Sequence, residues 1–318
     1  MLRASIAAET AGIPSVSIIC EGFQGQATAT ARGLGYDGLP LAVTVGHVDA
    51  QSAEVMIRNF LDVTVDAIVA GLTTEADSDG AGNDEPAALD TVFTGTIDDV
   101  NEHFLAQGWS DGNPVIPPTR ERVERILAAS GHDPWKRIGI AASSGRDVTV
   151  WSIAVNAVMA GCRPEYLPVL LALAEILTDP AYGAEHSGNT TGADALIVLD
   201  GPSATGIGFH HGAGAMREGA HANTAVARWL RLYLRNVFGF TREEHDRATF
   251  GNPTRPVLTE DRSCLREIGW PSIGEQLGFG PDDDVVSMAR TNSGTIMGSV
   301  FGSAPEEIVP YLANGLVR

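Results

Sequence analysis

Two short apolar runs near the N-terminus each end in polar residues capable of chemistry. Ser15-Val-Ser-Ile-Ile19 leads into Cys20-Glu21-Gly22, and Leu41-Ala-Val-Thr-Val45 leads into Gly46-His47. β-Branched residues crowd both runs, which predicts strands. Residues 23–34 between them read as a helix. A strand–helix–strand unit this short is expected to be a right-handed parallel crossover. The carboxyl ends of both strands then share one edge, where open parallel sheets bind ligands. Leu2, Ile6 and Ala7 predict an amphipathic helix before the first strand. Val55, Met56, Phe60, Val63 and Val65 predict another over roughly 51–71.

Residues 73–92 break the pattern. Thr73-Thr-Glu-Ala-Asp-Ser-Asp-Gly-Ala-Gly-Asn-Asp-Glu-Pro86 has no apolar periodicity and many acidic and small residues, which predicts an acidic flexible linker. It divides a partial flavodoxin-like unit at 1–72 from a larger α/β domain at 93–318. In the larger region, helices are predicted at 96–107, 119–129, 150–161, 164–178 and 222–237, and strands at 137–141, 195–200 and 284–289. The expected fold class is therefore α/β: a small parallel N-terminal unit plus a larger mixed domain rich in helices. Two strands are too few for a stable sheet. A homo-oligomer, or a partner chain completing that sheet, is expected.

Composition narrows the function. The chain has 318 residues, 44% hydrophobic and 19% charged, with a formal net charge of −19. Its basic residues form no cluster, so neither nucleic acid nor an anionic membrane surface is an expected partner. The longest apolar stretch, Leu167 to Leu177, contains Pro168 and Glu175 and is unsuited to spanning a bilayer. The first residues are too short and polar a run for a signal peptide. Cys20, Cys162 and Cys264 form no CxxC pair. An odd, low cysteine count fits a reducing cytoplasm.

Several residues are candidates for chemistry. Glu21 and His47, at the two strand ends, suit an acid and a base, with Cys20 beside them. Cys162 lies in Asn156-Ala-Val-Met-Ala-Gly-Cys-Arg-Pro-Glu-Tyr-Leu-Pro168. Gly161 is expected to end one helix and Pro164 to open the next. That would put Cys162 near a helix N-terminus beside Arg163, and both features favour a thiolate. After the predicted strand at 195–200 comes a glycine-rich loop, residues 206–221, carrying His210, His211, Arg217, Glu218 and His221. Strand, glycine loop and helix form the layout of an anion cradle. No GxxxxGK occurs, and the spacing departs from GxGxxG, so a nucleotide site is not expected. Arg217 and loop amides suit a carboxylate or phosphate, with Asn223 opening the following helix. The three histidines could hold zinc, but no HExxH pattern accompanies them; neither metal nor cofactor is expected. Arg228, Arg231 and Arg235 recur on one helix face and call for carboxylate partners.

Several segments resemble a known family. Ala11-Gly-Ile-Pro-Ser-Val-Ser-Ile, Phe23 and the strand ending in His47 are similar to the back half of the UGSC-type domain, named for a selenocysteine-or-cysteine Gly-Ser-Cys motif. The larger region is similar to one that often accompanies that domain, in Trp109-Ser-Asp-Gly-Asn-Pro-Val-Ile-Pro-Pro-Thr119, Ala157-Val-Met-Ala-Gly-Cys-Arg-Pro-Glu-Tyr166, Ala222-Asn-Thr-Ala-Val-Ala-Arg228 and Trp270-Pro-Ser. The naming motif would lie before residue 1, and no Cys-Gly-Ser-Cys occurs in the chain.

The leading expectation is an enzyme, hydrolase or lyase, acting on a small anionic organic molecule by acid–base or nucleophilic chemistry. Glu21 and His47 would be acid and base, and Cys162 nucleophile or wall. Cys20, Arg163, His210, His211, Arg217 and Asn223 would contact the substrate. The rivals are a thiol-redox accessory protein related to UGSC-type proteins and a non-catalytic subunit of a complex.

Overall fold

The structure is a computed structural model. It describes all residues except 1, 34–35, 37, 48–49, 74–86, 187–192, 218, 243–245, 247, 249–255, 292–301, 303 and 317–318. Most of the linker predicted at 73–92, and Glu218, therefore lie outside the described residues. The protein is a mixed α/β molecule with a small parallel sheet at its N-terminus.

The chain opens with α1 (Leu2–Thr10), β1 (Ser17–Cys20), α2 (Gln24–Gly33) and β2 (Leu41–Thr44). β1 and β2 pair in parallel, from Ser17 opposite Leu41 to Cys20 opposite Thr44. Ala27 and Ala31 of α2 and Ala42 of β2 are buried, so small residues let the crossover helix sit close to the strands. The long helix predicted over 51–71 is α3 (Ala53–Asn59), a π-turn (Phe60–Thr64) and α4 (Val65–Thr73) in succession. Ser52 caps its start through its side chain.

The larger region begins with α5 (Ile97–Ala106), which Thr96 and Asp99 close with a capping box, and α6 (Arg120–Leu127). Thr119 stands at the N-cap of α6, but its side chain makes no capping bond. A hairpin of β3 (Arg137–Ile140) and β4 (Asp147–Thr149) leads into α7 (Val150–Ala160). Gly161 ends α7 at φ 83°, a left-handed conformation that disfavours any side chain. A 3₁₀ turn, Pro164–Tyr166, then opens α8 (Leu167–Thr178).

β5 (Asp194–Asp200), α9 (Pro202–Gly206), a long loop, α10 (His221–Asn236) and β6 (Val257–Thr259) follow. α11 (Arg262–Ile268), α12 (Ile273–Gln276), β7 (Val285–Thr291) and α13 (Pro305–Leu316) complete the chain. The second sheet runs β6-β5-β7, with β6 parallel and β7 antiparallel to β5. The core is helical and sits around α7, α8 and α10. Ile153, Leu170, Leu173, Trp229, Leu230 and Tyr233 are all fully buried there. Trp229 stacks on Tyr233 at 4.6 Å and donates its Nε1–H to the Ile153 carbonyl at 3.1 Å. Among the described residues no helix is long and apolar enough to cross a membrane.

The arginine stripe of α10 turns inward. Arg228 forks onto Asp111 at 3.0 and 3.2 Å and also donates to the Pro114 carbonyl at 2.7 Å. Arg231 lies 3.1 Å from the same carboxylate, and Arg235 donates to the Gly108 carbonyl. The carboxylate that this face requires is supplied by the chain itself, so the face gives no argument for a second subunit. It clamps the Trp109-Ser-Asp-Gly-Asn-Pro114 connector, which has no regular structure of its own to hold it.

Candidate active site

The two groups of chemical residues expected from the sequence stand at two different sheet edges. At the first, parallel pairing brings Cys20-Glu21 and Gly46-His47 to the same ends of β1 and β2. The Glu21 N–H donates to the Thr44 carbonyl at 2.8 Å, and the Glu21 carboxylate accepts the Gly46 N–H at 3.0 Å. Gln51 reaches back to the Val45 carbonyl at 2.7 Å and is held in turn by Asn59. The His47 ring lies 6.0 Å from that of Phe23, tilted by 48°. Glu21 and His47 are both exposed. The Glu21 carboxylate thus ties one strand end to the other, a structural task.

The second edge lies beyond β5 and β6. Asp200 ends β5, and its side chain is fully buried. It accepts from Arg262, from the Ser272 hydroxyl at 2.6 Å and from the Gly274 N–H at 3.0 Å. A Cβ on Gly274 would stand 2.5 Å from Asp200 Oδ2, so only glycine permits that approach. Burial raises the Asp200 carboxyl, but the Arg262 and Ser272 bonds outweigh it and hold the group below its ordinary value. Next along the same edge are Glu260 and Asp261, which follow β6. Burial pushes Glu260 up, with the Asp200 and Glu275 charges adding to it, although the carboxylate accepts the Ile273 N–H at 2.7 Å. Asp261 goes the other way, to about 2, through the Ser263 hydroxyl and the Cys264 and Ser263 amides at the start of α11. Consecutive carboxyl groups driven in opposite directions are a feature of acid–base sites.

His211 joins this edge from the glycine loop. Its Nδ1 lies 3.2 Å from Asp261 Oδ2, and the ring is one-third exposed. The contact is at ion-pair distance without hydrogen-bond alignment. Its neighbours in the loop are occupied. The His210 N–H donates to Asn223 Oδ1 at 2.9 Å, and its Nε2 lies 2.9 Å from the Ala213 carbonyl oxygen. Asn223 is buried and donates to the Val257 and His210 carbonyls, so its amide pins the loop to β6 and is not available to a substrate. His221 Nδ1 meets the Tyr166 hydroxyl at 3.0 Å. Arg217 is exposed on the loop. Among the described residues no group of three His, Cys, Asp or Glu side chains converges as a metal ligand set.

Cys162 corrects the reading of its neighbourhood. The 3₁₀ turn after it contributes Tyr166, which packs against Phe209 at 5.7 Å and bonds His221, so this turn does meet the glycine loop. Yet the Cys162 thiol is buried in the apolar core, and burial raises its pKa far above the ordinary thiol value. The turn places apolar neighbours around the sulfur, and Arg163 points out to Glu165 at 4.0 Å. Burial of the sulfur opposes the thiolate that Arg163 and the helix start suggested. Cys20 is half-buried and Cys264 is exposed. A charged alkylating reagent at neutral pH is expected to label Cys264 first, Cys20 more slowly, and Cys162 only after unfolding. Mass spectrometry of partially labelled protein checks this order, and early modification of Cys162 would contradict it.

The sequence reading missed Asp200, Glu260 and Asp261. The available signal was Asp261 two residues before Ser263 at a helix start, an N-cap pattern. No curated protein and no solved structure matches this chain. A comparison with family models finds the UGSC family over residues 1–74. The segment holding β1, β2 and their helices is a UGSC family domain.

Proposed function

We propose that this chain is an enzyme acting on a small anionic organic molecule by acid–base chemistry, hydrolytic or lyase-type. The observation that carries this reading is the His211–Asp261 pair at the carboxyl edge of β5 and β6. Asp261 is a permanent anion above about pH 3, because the start of α11 holds its carboxyl near 2. Its charge, 3.2 Å from Nδ1, stabilises the imidazolium that forms when His211 takes a proton. Glu21 and His47 offer a second acid–base pair, but the Glu21 carboxylate is engaged with Gly46. The anionic group of the substrate is assigned to Arg217 and to the start of α10, where Ala220 provides no side-chain cap for the first amides.

The test is a panel of small carboxylate-bearing esters, amides, nitriles and unsaturated acids, screened for turnover with wild-type protein, His211→Asn and Arg217→Ala. Arg217→Ala is expected to raise KM about tenfold with kcat little changed, because it removes binding common to substrate and transition state. Full turnover by His211→Asn would overturn the assignment.

The two-stranded β1–β2 sheet and the exposed Ile57, Leu61, Val69 and Leu72 support a homo-oligomer, or a complex whose partner chain extends that sheet. Sedimentation at micromolar concentration should show an assembly; a monomer with this unit folded would contradict it.

A further inference from the structure

His221 opens α10 at the far end of the glycine loop from His211, and the acid–base reading gives it no task. The fold closes the loop on itself. Asn223 accepts the His210 N–H at 2.9 Å and donates to the His210 carbonyl at 3.3 Å. His211 is the next residue after one side of this pin, and His221 stands two residues before the other. Tyr166 touches both arms, with its ring 5.7 Å from Phe209 and 5.9 Å from His221.

The partners of the two histidines set their tautomers oppositely. Tyr166 is 1% exposed, and among the described residues its hydroxyl has one partner, His221 Nδ1 at 3.0 Å. Burial pushes that hydroxyl above the ordinary tyrosine value, so it keeps its proton. A buried phenol needs an acceptor for its proton, and here the acceptor is Nδ1. The neutral ring of His221 therefore carries its own proton on Nε2. When the ring is charged, the bond to Tyr166 reverses and Nε2 still carries a proton. His221 is exposed, and with Nδ1 turned toward the buried tyrosine its Nε2–H faces the other way. In His211 it is Nδ1 that lies 3.2 Å from the Asp261 carboxylate. That anion favours the proton on Nδ1 and leaves the Nε2 lone pair free to act as a base.

We propose that His221 donates a hydrogen bond from Nε2–H to the substrate oxygen on which negative charge develops, and that Tyr166 is the positioning residue that fixes this donor. The inference rests on the acid–base reading of the His211 edge. His211 takes the proton from the attacking water or the substrate carbon, and His221 keeps its own proton throughout. A donor oriented before the charge appears stabilises it more than mobile water does. Arg217 is left to the group that is anionic from the start.

Two measurements on the full chain test this. The first needs no substrate. Proton–nitrogen correlation spectra of the histidine rings, at about pH 9 and so above the ordinary imidazole range, report which nitrogen holds the proton. His221→Ala and His211→Asn assign the signals. His221 is expected to show a bare Nδ1 and a protonated Nε2. In Tyr166→Phe, which keeps the ring, the Nδ1 signal should move downfield because the bond it accepts is gone. A proton on His221 Nδ1, or an Nδ1 signal unmoved in Tyr166→Phe, would overturn the positioning role. The second is turnover of the carboxylate panel. His221→Ala should lower kcat about 10²-fold with KM little changed, the loss of a donor used only in the transition state. Tyr166→Phe should lower kcat about tenfold. Unchanged kcat in His221→Ala, beside a large loss in His211→Asn, would overturn the donor and leave the His211 reading intact. No turnover by the wild type, or full turnover by His211→Asn, would instead overturn that reading and the donor's task with it, whatever the spectra show.

Discussion

Asp111→Asn is expected to cost about 3 kcal/mol of folding stability, read as a lower urea midpoint at unchanged slope. The Asp111 side chain is 1% exposed, while Arg228 and Arg231 are 21% and 27% exposed. Removing the charge leaves two guanidinium groups against a neutral amide. Because both cations keep some water, the cost falls at the lower end of the range for broken buried pairs. The clamp also fixes the 108–114 connector, which then loosens. The pH dependence follows from the sign of the shift. Burial raises the Asp111 carboxyl, but the Arg228 bonds and both arginine charges outweigh it and leave the pKa below its ordinary 3.8. A depressed folded-state pKa stabilises fully above the unfolded value and is lost as pH falls through the folded one. Wild-type stability should therefore drop from about pH 5 downward, and Asp111→Asn should show a shallower drop. Asp200 has the same sign and contributes to the same limb in both proteins. A variant with the wild-type midpoint and acid limb would show that the clamp contributes nothing.

His211→Asn should lower turnover of any substrate found by roughly 10²–10⁴-fold, the ordinary contribution of a positioned general acid or base. Asp261→Asn is the sharper probe. Asparagine caps a helix about as well as aspartate, so α11 should persist while the charge beside the imidazole disappears. A charge pair at this distance in a partly exposed setting is worth on the order of 1–2 kcal/mol, so the loss should be about tenfold. The Asp261 carboxyl sits near 2, so an acid limb of the rate profile above pH 4 belongs to another group. Unchanged kcat/KM in Asp261→Asn would make the carboxylate a cap and nothing more.

The sequence alone determined much of the local structure. Ser17–Cys20 and Leu41–Thr44 read as strands because β-branched and apolar residues crowd them, and their short crossover required parallel pairing. Gly161 and Pro164 marked a helix end and the next start, since one adopts a positive φ and the other lacks an N–H. The resemblance to UGSC-type proteins was likewise legible in residues 1–74. β6 was not, because three residues, Val257–Thr259, are too few to show a period.

What only the tertiary structure decided is burial and long-range partnership. Arg163 beside Cys162 suggested a thiolate, but packing buried the sulfur, and desolvation outweighs a nearby charge that points to solvent. Arg228 and Asp111 stand 117 residues apart in the chain, so nothing local could show that the basic face had a partner of its own. His211 and Asp261 meet because β5 and β6 run parallel and end at one edge. Local propensity is set by a few neighbouring residues. The environment that tunes a carboxyl, an imidazole or a thiol comes from chain segments that only folding brings together.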